Sequence, residues 1–310
     1  MTASGTRSRA GRFGLSGAVG RAARFGAPGT AVWYYRRSWL GMAAAVVAVL
    51  FAAAALFAPW LTPYAEVGRG VPDLPIRLQG PSWSHWLGTD DLGRDVLARL
   101  LFGARTALVV AVGVVALSVV IGVLVGAVAG YFGRWIDEVL MRVTDMFLAF
   151  PPLLLAVLVA AALGASVRNT IIAIAVSWWP WYARLVRAQV LSLRERPFIK
   201  AVRAIGVPHR RIIAVHLVPN AMAPVWVQAT ADLGAAVLTA AGLSFIGLGP
   251  RPPTADWGVM IAEGRQYVLS GQWWIAGFAG AAIVIAAVAF NLMGDVIRDV
   301  TDPRTREDQP

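Results

Sequence analysis

Residues 184–220 read RLVRAQVLSLRERPFIKAVRAIGVPHRRIIAVHLVPN. This stretch is strongly basic and lies between two long apolar segments, so it must face one side of a membrane. Pro197 suits the first turn of a helix, and Gly206 suits the left-handed position that follows a helix. Apolar residues between them recur at helical spacing: Phe198, Ala201, Val202 and Ile205. The pattern predicts a short amphipathic helix with one docking face, then a second helical segment that ends at Pro219.

The composition is that of a membrane protein. Hydrophobic residues make up 58% of the 310 residues and charged residues only 15%, and the mean hydropathy is +0.63. A hydrocarbon core about 30 Å thick takes roughly 20 apolar residues per helix. Six segments are long enough: 39–59, 107–130, 139–164, 170–189, 222–246 and 273–294. We therefore expect an all-α polytopic protein with six transmembrane helices.

The charges of the loops predict the orientation. Arginines dominate the N-terminal tail and the loop after the fourth span, whereas acids balance them after the first span. By the positive-inside rule the first two regions face the cytoplasm. The predicted regions are an Arg-rich cytoplasmic tail without a fold (1–38), a first span with an external connector (39–103), a core transmembrane domain (104–294) with the segment 197–218, and a cytoplasmic tail (295–310). Both termini are then cytoplasmic. The net charge of +11 is explained by insertion and anionic lipid, so lipid is an expected partner and nucleic acid is not.

The basic segment resembles the EAA loop, the cytoplasmic coupling segment of ABC importer permeases. That pattern reads E-A-A, three residues, G, nine residues, then I-x-L-P, and here it falls on Lys200-Ala201-Val202, Gly206 and His216-Leu217-Val218-Pro219. Lys200 replaces the acid, Val202 the second alanine and His216 the isoleucine. The resemblance implies that a set of residues contacts an ATPase subunit: Phe198, Lys200, Ala201, Val202, Arg203, Ala204, Gly206, His216 and Pro219.

Residues 85–95, HWLGTDDLGRD, followed by Gly103-Ala104-Arg105, resemble the entry to the core of the second (C-type) permease in the peptide/nickel subfamily. Further family landmarks follow in order as far as Arg304. The resemblance implies a bacterial type I ABC importer permease in the inner or plasma membrane. Its implied partners are a homologous permease, two cytoplasmic ATPases that bind ATP and Mg, and an extracytoplasmic binding protein that delivers di- or oligopeptides. Nickel chelates, glutathione or oligosaccharides are alternative substrates.

Motifs for catalysis are missing from the sequence. It contains no GxxxxGK[ST], HExxH or GxSxG and no cysteine, and its three histidines lack paired metal-ligand spacing. We expect a transport subunit without catalytic residues, metal or cofactor of its own. A cluster of four side chains could bind a metal on chemistry alone: His85, Asp90, Asp91 and Asp95. Acids that alternate with arginines at a helix start instead favour helix caps and surface ion pairs.

Features inside the spans predict packing and a pathway. Three glycines at four-residue spacing indicate a close helix contact: Gly122, Gly126 and Gly130. The prolines of Phe150-Pro151-Pro152 predict a kink that helps to shape a cavity. Asp232 lies roughly ten residues into the fifth span, where a carboxylate is costly. It either lines the pathway or makes a packing hydrogen bond, with Gln228 or Thr239. A stand-alone secondary transporter, the rival class, would carry several intramembrane charges; Asp145 and Asp232 are the only acids in the predicted spans.

Overall fold

The computed structural model describes residues 39–68 and 70–301. Within those ranges the chain is helical and contains no β-strand beyond an isolated bridge between Thr89 and Asp95. The predicted tail 1–38 lies outside the described residues, as do residues 302–310 of the predicted C-terminal tail. The predicted domain boundaries stay predictions.

The main helices, in chain order, are α1 (Trp39–Leu61), α2 (Val96–Phe132), α3 (Arg134–Leu148), α4 (Pro152–Leu163), α5 (Val167–Arg194), α6 (Pro197–Ala204), α7 (Val218–Phe245), α8 (Trp257–Gly264) and α9 (Trp274–Thr301). Short helical turns join some of them: Ala65–Gly68, Leu74–Ile76, His209–Arg211, Ile212–Leu217 and Arg265–Ser270.

Three described helices are long and apolar enough to cross a membrane: Val96–Phe132, His209–Phe245 and Trp274–Gly294. The pair α3 and α4 makes a fourth if it counts as one span. Helix α1 contributes a shorter apolar stretch, Ala45–Leu61. Helix α5 is not in this set, and it carries four arginines: Arg168, Arg184, Arg187 and Arg194. The number of six spans therefore stays a prediction.

The third predicted span is broken rather than kinked. Helix α3 ends at Leu148, α4 begins at Pro152, and the two helices are bent by 86°. Pro151 and Pro152 lack the amide hydrogens that would continue the backbone hydrogen bonds of α3, so a new helix begins there. Helix α4 has 12 residues, about 18 Å at 1.5 Å per residue, which is shorter than a hydrocarbon core. The disruption predicted at Phe150-Pro151-Pro152 is present, but it is a break between two helices and not a kink within one span over 139–164.

Ion pairs hold the amphipathic helix α3 against α5. Arg187 donates to Asp137 through both Nε (2.5 Å) and Nη2 (2.7 Å). Two turns further along α3, Arg184 donates from Nη2 to Asp145 Oδ1 at 2.7 Å. The first pair is partly buried and bidentate, whereas the second is exposed, so the first fixes the orientation of α3 more firmly.

The three glycines of α2 lie against the backbone of α5. A Cβ atom at Gly126 would be closer than 3.0 Å to the carbonyl oxygen of Ala183 and 3.0 Å from the amide nitrogen of Arg187. At Gly130 it would lie 2.9 Å from the Arg187 carbonyl oxygen, and at Gly122 it would collide with Tyr182. Because these neighbours are mostly backbone atoms, no side-chain movement can make room.

A buried ion network ties the connector to α8. Asp90 accepts hydrogen bonds from Arg94 Nε at 2.7 Å and Arg99 Nη1 at 2.6 Å. Glu263 of α8 accepts from Arg94 Nη2 at 2.9 Å and lies 2.8 Å from Arg99 Nη1. The expectation of surface ion pairs here is wrong, because α8 packs over the α2 start and Asp90, Arg94 and Arg99 are all buried.

The same network bears on the possible metal cluster. The carboxylates of Asp90, Asp91 and Glu263 lie within 4.8 Å of one another, but the guanidinium groups of Arg94 and Arg99 already pair with Asp90 and Glu263 and offset two of the three negative charges. Burial, and then the charge of Asp90, raises the pKa of Asp91. The other two acids of the sequence cluster are used structurally. Asp95 caps α2 by accepting from Ala98 N at 2.7 Å and also binds His85 Nδ1 at 2.9 Å.

Candidate functional site

Helix α6 begins and ends through local sequence chemistry. Pro197 occupies its first turn, and the carbonyl of Arg196 accepts from the amides of Ile199 (3.1 Å) and Lys200 (3.2 Å). At the other end Gly206 has φ +79°, as its sequence position predicts. Val207 N then donates back to Val202 O at 3.4 Å, which closes the helix in the manner of a Schellman motif. No heavy atom lies within 4 Å of a Cβ placed on Gly206, so the constraint there is the backbone and not space.

One face of α6 holds the helix on the bundle and another is left open. Ile199 is fully buried, and Val202 packs beside it against the core. Phe198 is 42% exposed and Ile205 is 77% exposed. Most of the residues expected to contact an ATPase are exposed: Phe198, Lys200, Ala201, Arg203, Ala204, Gly206 and Pro219. Val202 and His216 are half-buried. The helix thus presents apolar side chains to the surface at a fixed position.

The end of α2 fixes the turn that follows α6. Tyr131 Oη lies 2.6 Å from His209 Nδ1, and the guanidinium carbon of Arg203 lies 5.2 Å from the centre of the Tyr131 ring. Arg194 also donates from Nη1 to the carbonyl of Gly130 at 2.9 Å. The sequence did not predict this contact, because Tyr131 and His209 are 78 residues apart. The only local signal was that an aromatic residue directly follows Gly130.

Lys200 has a partner within its own chain. Its Nζ lies 3.2 Å from Glu195 Oε2, and both side chains are well exposed. The hydrogen bond from Lys200 lowers the pKa of Glu195. Such an exposed pair is weak, so Lys200 remains available to an outside group.

The coupling segment runs directly into a long helix. After His209–Arg211 the backbone forms a π-helical stretch, Ile212–Leu217, and α7 starts at Val218 with Pro219 in its first turn. The prediction that Pro219 ends the second helical segment is wrong. A proline needs no amide partner in a first helical turn, and the wider π turn before it resets the hydrogen-bond register. The end of the segment and α7 therefore form one continuous helical path from His209 to Phe245.

A cavity of about 400 Å³ opens between α5 and α7. Its lining is largely apolar: Trp178, Trp181, Leu185, Gln228, Asp232 and Ala235. Asp232 Oδ2 accepts from Tyr182 Oη at 2.6 Å, and Oδ1 accepts from Gln228 Nε2 at 2.9 Å. Gln228 is one of the two partners expected from the sequence. Tyr182 was missed, because it lies 50 residues away on another helix.

The anchored helix α6 and its helical connection to α7 fit a membrane subunit that transmits movement, and comparisons with known proteins agree. A family profile described as the inner membrane component of binding-protein-dependent transport systems matches residues 122–307. A second profile, the N-terminal transmembrane domain of oligopeptide transport permease C, matches residues 29–81. The chain belongs to the family of ABC importer permeases. The resemblance drawn from the EAA-like segment and the HWLGTDDLGRD stretch is thereby confirmed.

Relatives of this permease include transporters of different substrates. It is 43% identical to the dipeptide transport system permease protein DppC of Alkalihalophilus pseudofirmus over 87% of this chain and 88% of the relative. It is 42% identical to the nickel transport system permease protein NikC of Escherichia coli over 86% of this chain and 94% of the relative. Among solved structures, an inward-facing MetNI methionine ABC transporter chain matches with a TM-score of 0.51 at 23% identity, over 66% of this chain and 96% of that chain. This last likeness supports the permease fold alone.

Proposed function

We propose that this permease forms half of the translocation pathway of an ATP-driven importer of di- and oligopeptides. Its proposed partners are a homologous permease, two cytoplasmic ATPases and an extracytoplasmic binding protein. Six spans place both termini in the cytoplasm in this proposal. The observation that carries it is helix α6, which is anchored by Ile199 and yet exposes Phe198 and Ile205. The peptide substrate is supported by the names of relatives such as the dipeptide permease at 43% identity.

The mechanism is alternating access driven through the coupling segment. ATP and Mg are bound by the ATPases, and closure of that pair on ATP moves the docked α6. Two connections carry this movement into the membrane. One is the contact between Tyr131 and His209, which joins the segment to α2. The other is the continuous path from His209 to Phe245, which joins it to α7.

Reconstitution in proteoliposomes tests this proposal. The permease, its homologous partner, both ATPases and the binding protein should together accumulate labelled dialanine only when ATP is present. Omission of the ATPases should abolish uptake. Accumulation by the permease alone would support the rival class, a secondary transporter, and would overturn the proposal.

Nickel chelates are the second candidate substrate, because a nickel permease matches almost as well, at 42% identity over 86% of this chain. Competition in the same proteoliposomes separates the two. If the permease transports peptides, excess unlabelled dialanine suppresses the uptake of labelled dialanine and a nickel chelate does not. The opposite result assigns the permease to nickel uptake.

A further inference from the structure

The cavity between α5 and α7 has the composition of a site for an organic cation. Its volume of about 400 Å³ falls in the range of small-molecule pockets. Trp178 and Trp181 form part of its wall, and Trp181 is 56% exposed, so the cavity is open to the surface of the permease. Asp232 brings a negative charge to this lining. A tryptophan face beside a carboxylate attracts a cation in two ways, through the ring quadrupole and through charge.

The carboxylate of Asp232 is oriented but not neutralised. Tyr182, which is buried, holds one oxygen and Gln228 holds the other. Each oxygen keeps a free lone pair, since a carboxylate accepts about four hydrogen bonds. Across residues 39–66 and 70–294, no lysine, arginine or histidine forms an ion pair with Asp232. Arg184, two residues after Tyr182 on α5, is bound to Asp145 at 2.7 Å.

We propose that this cavity binds the ammonium group of the transported solute, which for a peptide is its free amino terminus. The inference rests on the proposed function, and it assigns a position in the permease itself where solutes with and without an amino group are distinguished. Asp232 binds the ammonium, Trp178 and Trp181 cover its apolar side, and Tyr182 and Gln228 are positioning residues. The alternative of a pure packing contact between α5 and α7 needs only the hydrogen bonds and gives no role to the cavity.

Transport of matched peptides tests the assignment. The complete transporter is reconstituted with binding protein saturated either with dialanine or with N-acetyl-dialanine, whose blocked amine carries no charge. Asp232→Asn keeps the shape and removes the charge. The loss of one charge-assisted hydrogen bond should lower dialanine uptake roughly 10- to 100-fold and leave N-acetyl-dialanine uptake unchanged. Glu138→Gln neutralises an exposed carboxylate on α3 instead, and it should change neither.

Several results would overturn the inference while the proposed function stands. One is equal loss of both peptides in Asp232→Asn, which indicates packing. Another is wild-type uptake of dialanine by that variant. If Asp232→Asn fails to assemble, Trp181→Leu gives the answer, because Trp181 is 56% exposed and its replacement should disturb little of the packing. Selective loss of dialanine uptake then supports the site, and unchanged uptake excludes it. Failure of the wild-type transporter to accumulate either peptide would instead contradict the proposed peptide substrate.

Discussion

The substitution Gly126→Ala tests the contact between α2 and α5 most sharply. The added methyl group would lie closer than 3.0 Å to the Ala183 carbonyl oxygen and 3.0 Å from the Arg187 amide nitrogen. Both are backbone atoms of a helix, so the two helices must separate by several tenths of an ångström. Overpacking of this kind costs about 1–3 kcal/mol. It also loosens contacts along the whole interface, since both helices are rigid.

The control is Gly242→Ala in α7, where no heavy atom lies within 4 Å of the new methyl group. Alanine is the better helix former, so this control should be neutral or more stable by up to about 1 kcal/mol. Both variants are purified in detergent, and thermal unfolding is followed by circular dichroism. We expect Gly126→Ala to melt at a lower temperature than wild type, and Gly242→Ala not to. Equal melting temperatures of the two variants would refute the close contact.

Further substitutions at four positions have distinct expected outcomes. Gly206→Val should cost about 1–2 kcal/mol in a left-handed conformation and uncouple ATP hydrolysis from uptake, whereas Gly206→Asn, which tolerates that conformation, should keep the wild-type ratio of the two rates. Lys200→Glu should leave co-purification of the ATPases unchanged, because its side chain is exposed and bound only to Glu195; a clear loss would show that a partner acid binds Lys200. Burial raises the pKa of Asp91 above 3.8 in the native state, so the native state binds more protons than the unfolded state. The melting temperature should therefore fall as the pH rises from 3.8 through the raised pKa of Asp91. Asp91→Asn should remove this fall, whereas Asp90→Asn should lower the melting temperature because it leaves buried arginines short of a partner, at about 3–5 kcal/mol.

Local chemistry explains why helix α6 could be predicted from the sequence. Pro197 and Gly206 act within one turn of their own positions, and four apolar residues at helical spacing defined the face between them. The glycine spacing of α2 was equally informative, because small residues every fourth position mark one side of a helix whatever the partner.

Long-range contacts explain what the sequence could not supply. Arg94 and Glu263 are 169 residues apart, so no local pattern reveals that the acids near residue 90 form a buried network and not surface pairs. The path through Pro219 depends on a π turn, which a proline in a sequence does not signal. The consecutive prolines Pro151 and Pro152 predicted a disruption, but not its size, a bend of 86°, because a missing amide hydrogen does not specify the direction of the helix that follows.

Site-directed cross-linking can show whether α6 docks on an ATPase subunit. The chain has no cysteine, so Phe198→Cys provides a single thiol on the exposed face of α6. Leu269→Cys, at a fully exposed position between α8 and α9, is the control. With a short thiol-to-amine reagent in the assembled transporter, we expect Phe198→Cys to cross-link to an ATPase subunit and Leu269→Cys not to. An intact complex in which Leu269→Cys captures the ATPase, or in which Phe198→Cys does not, would contradict the account.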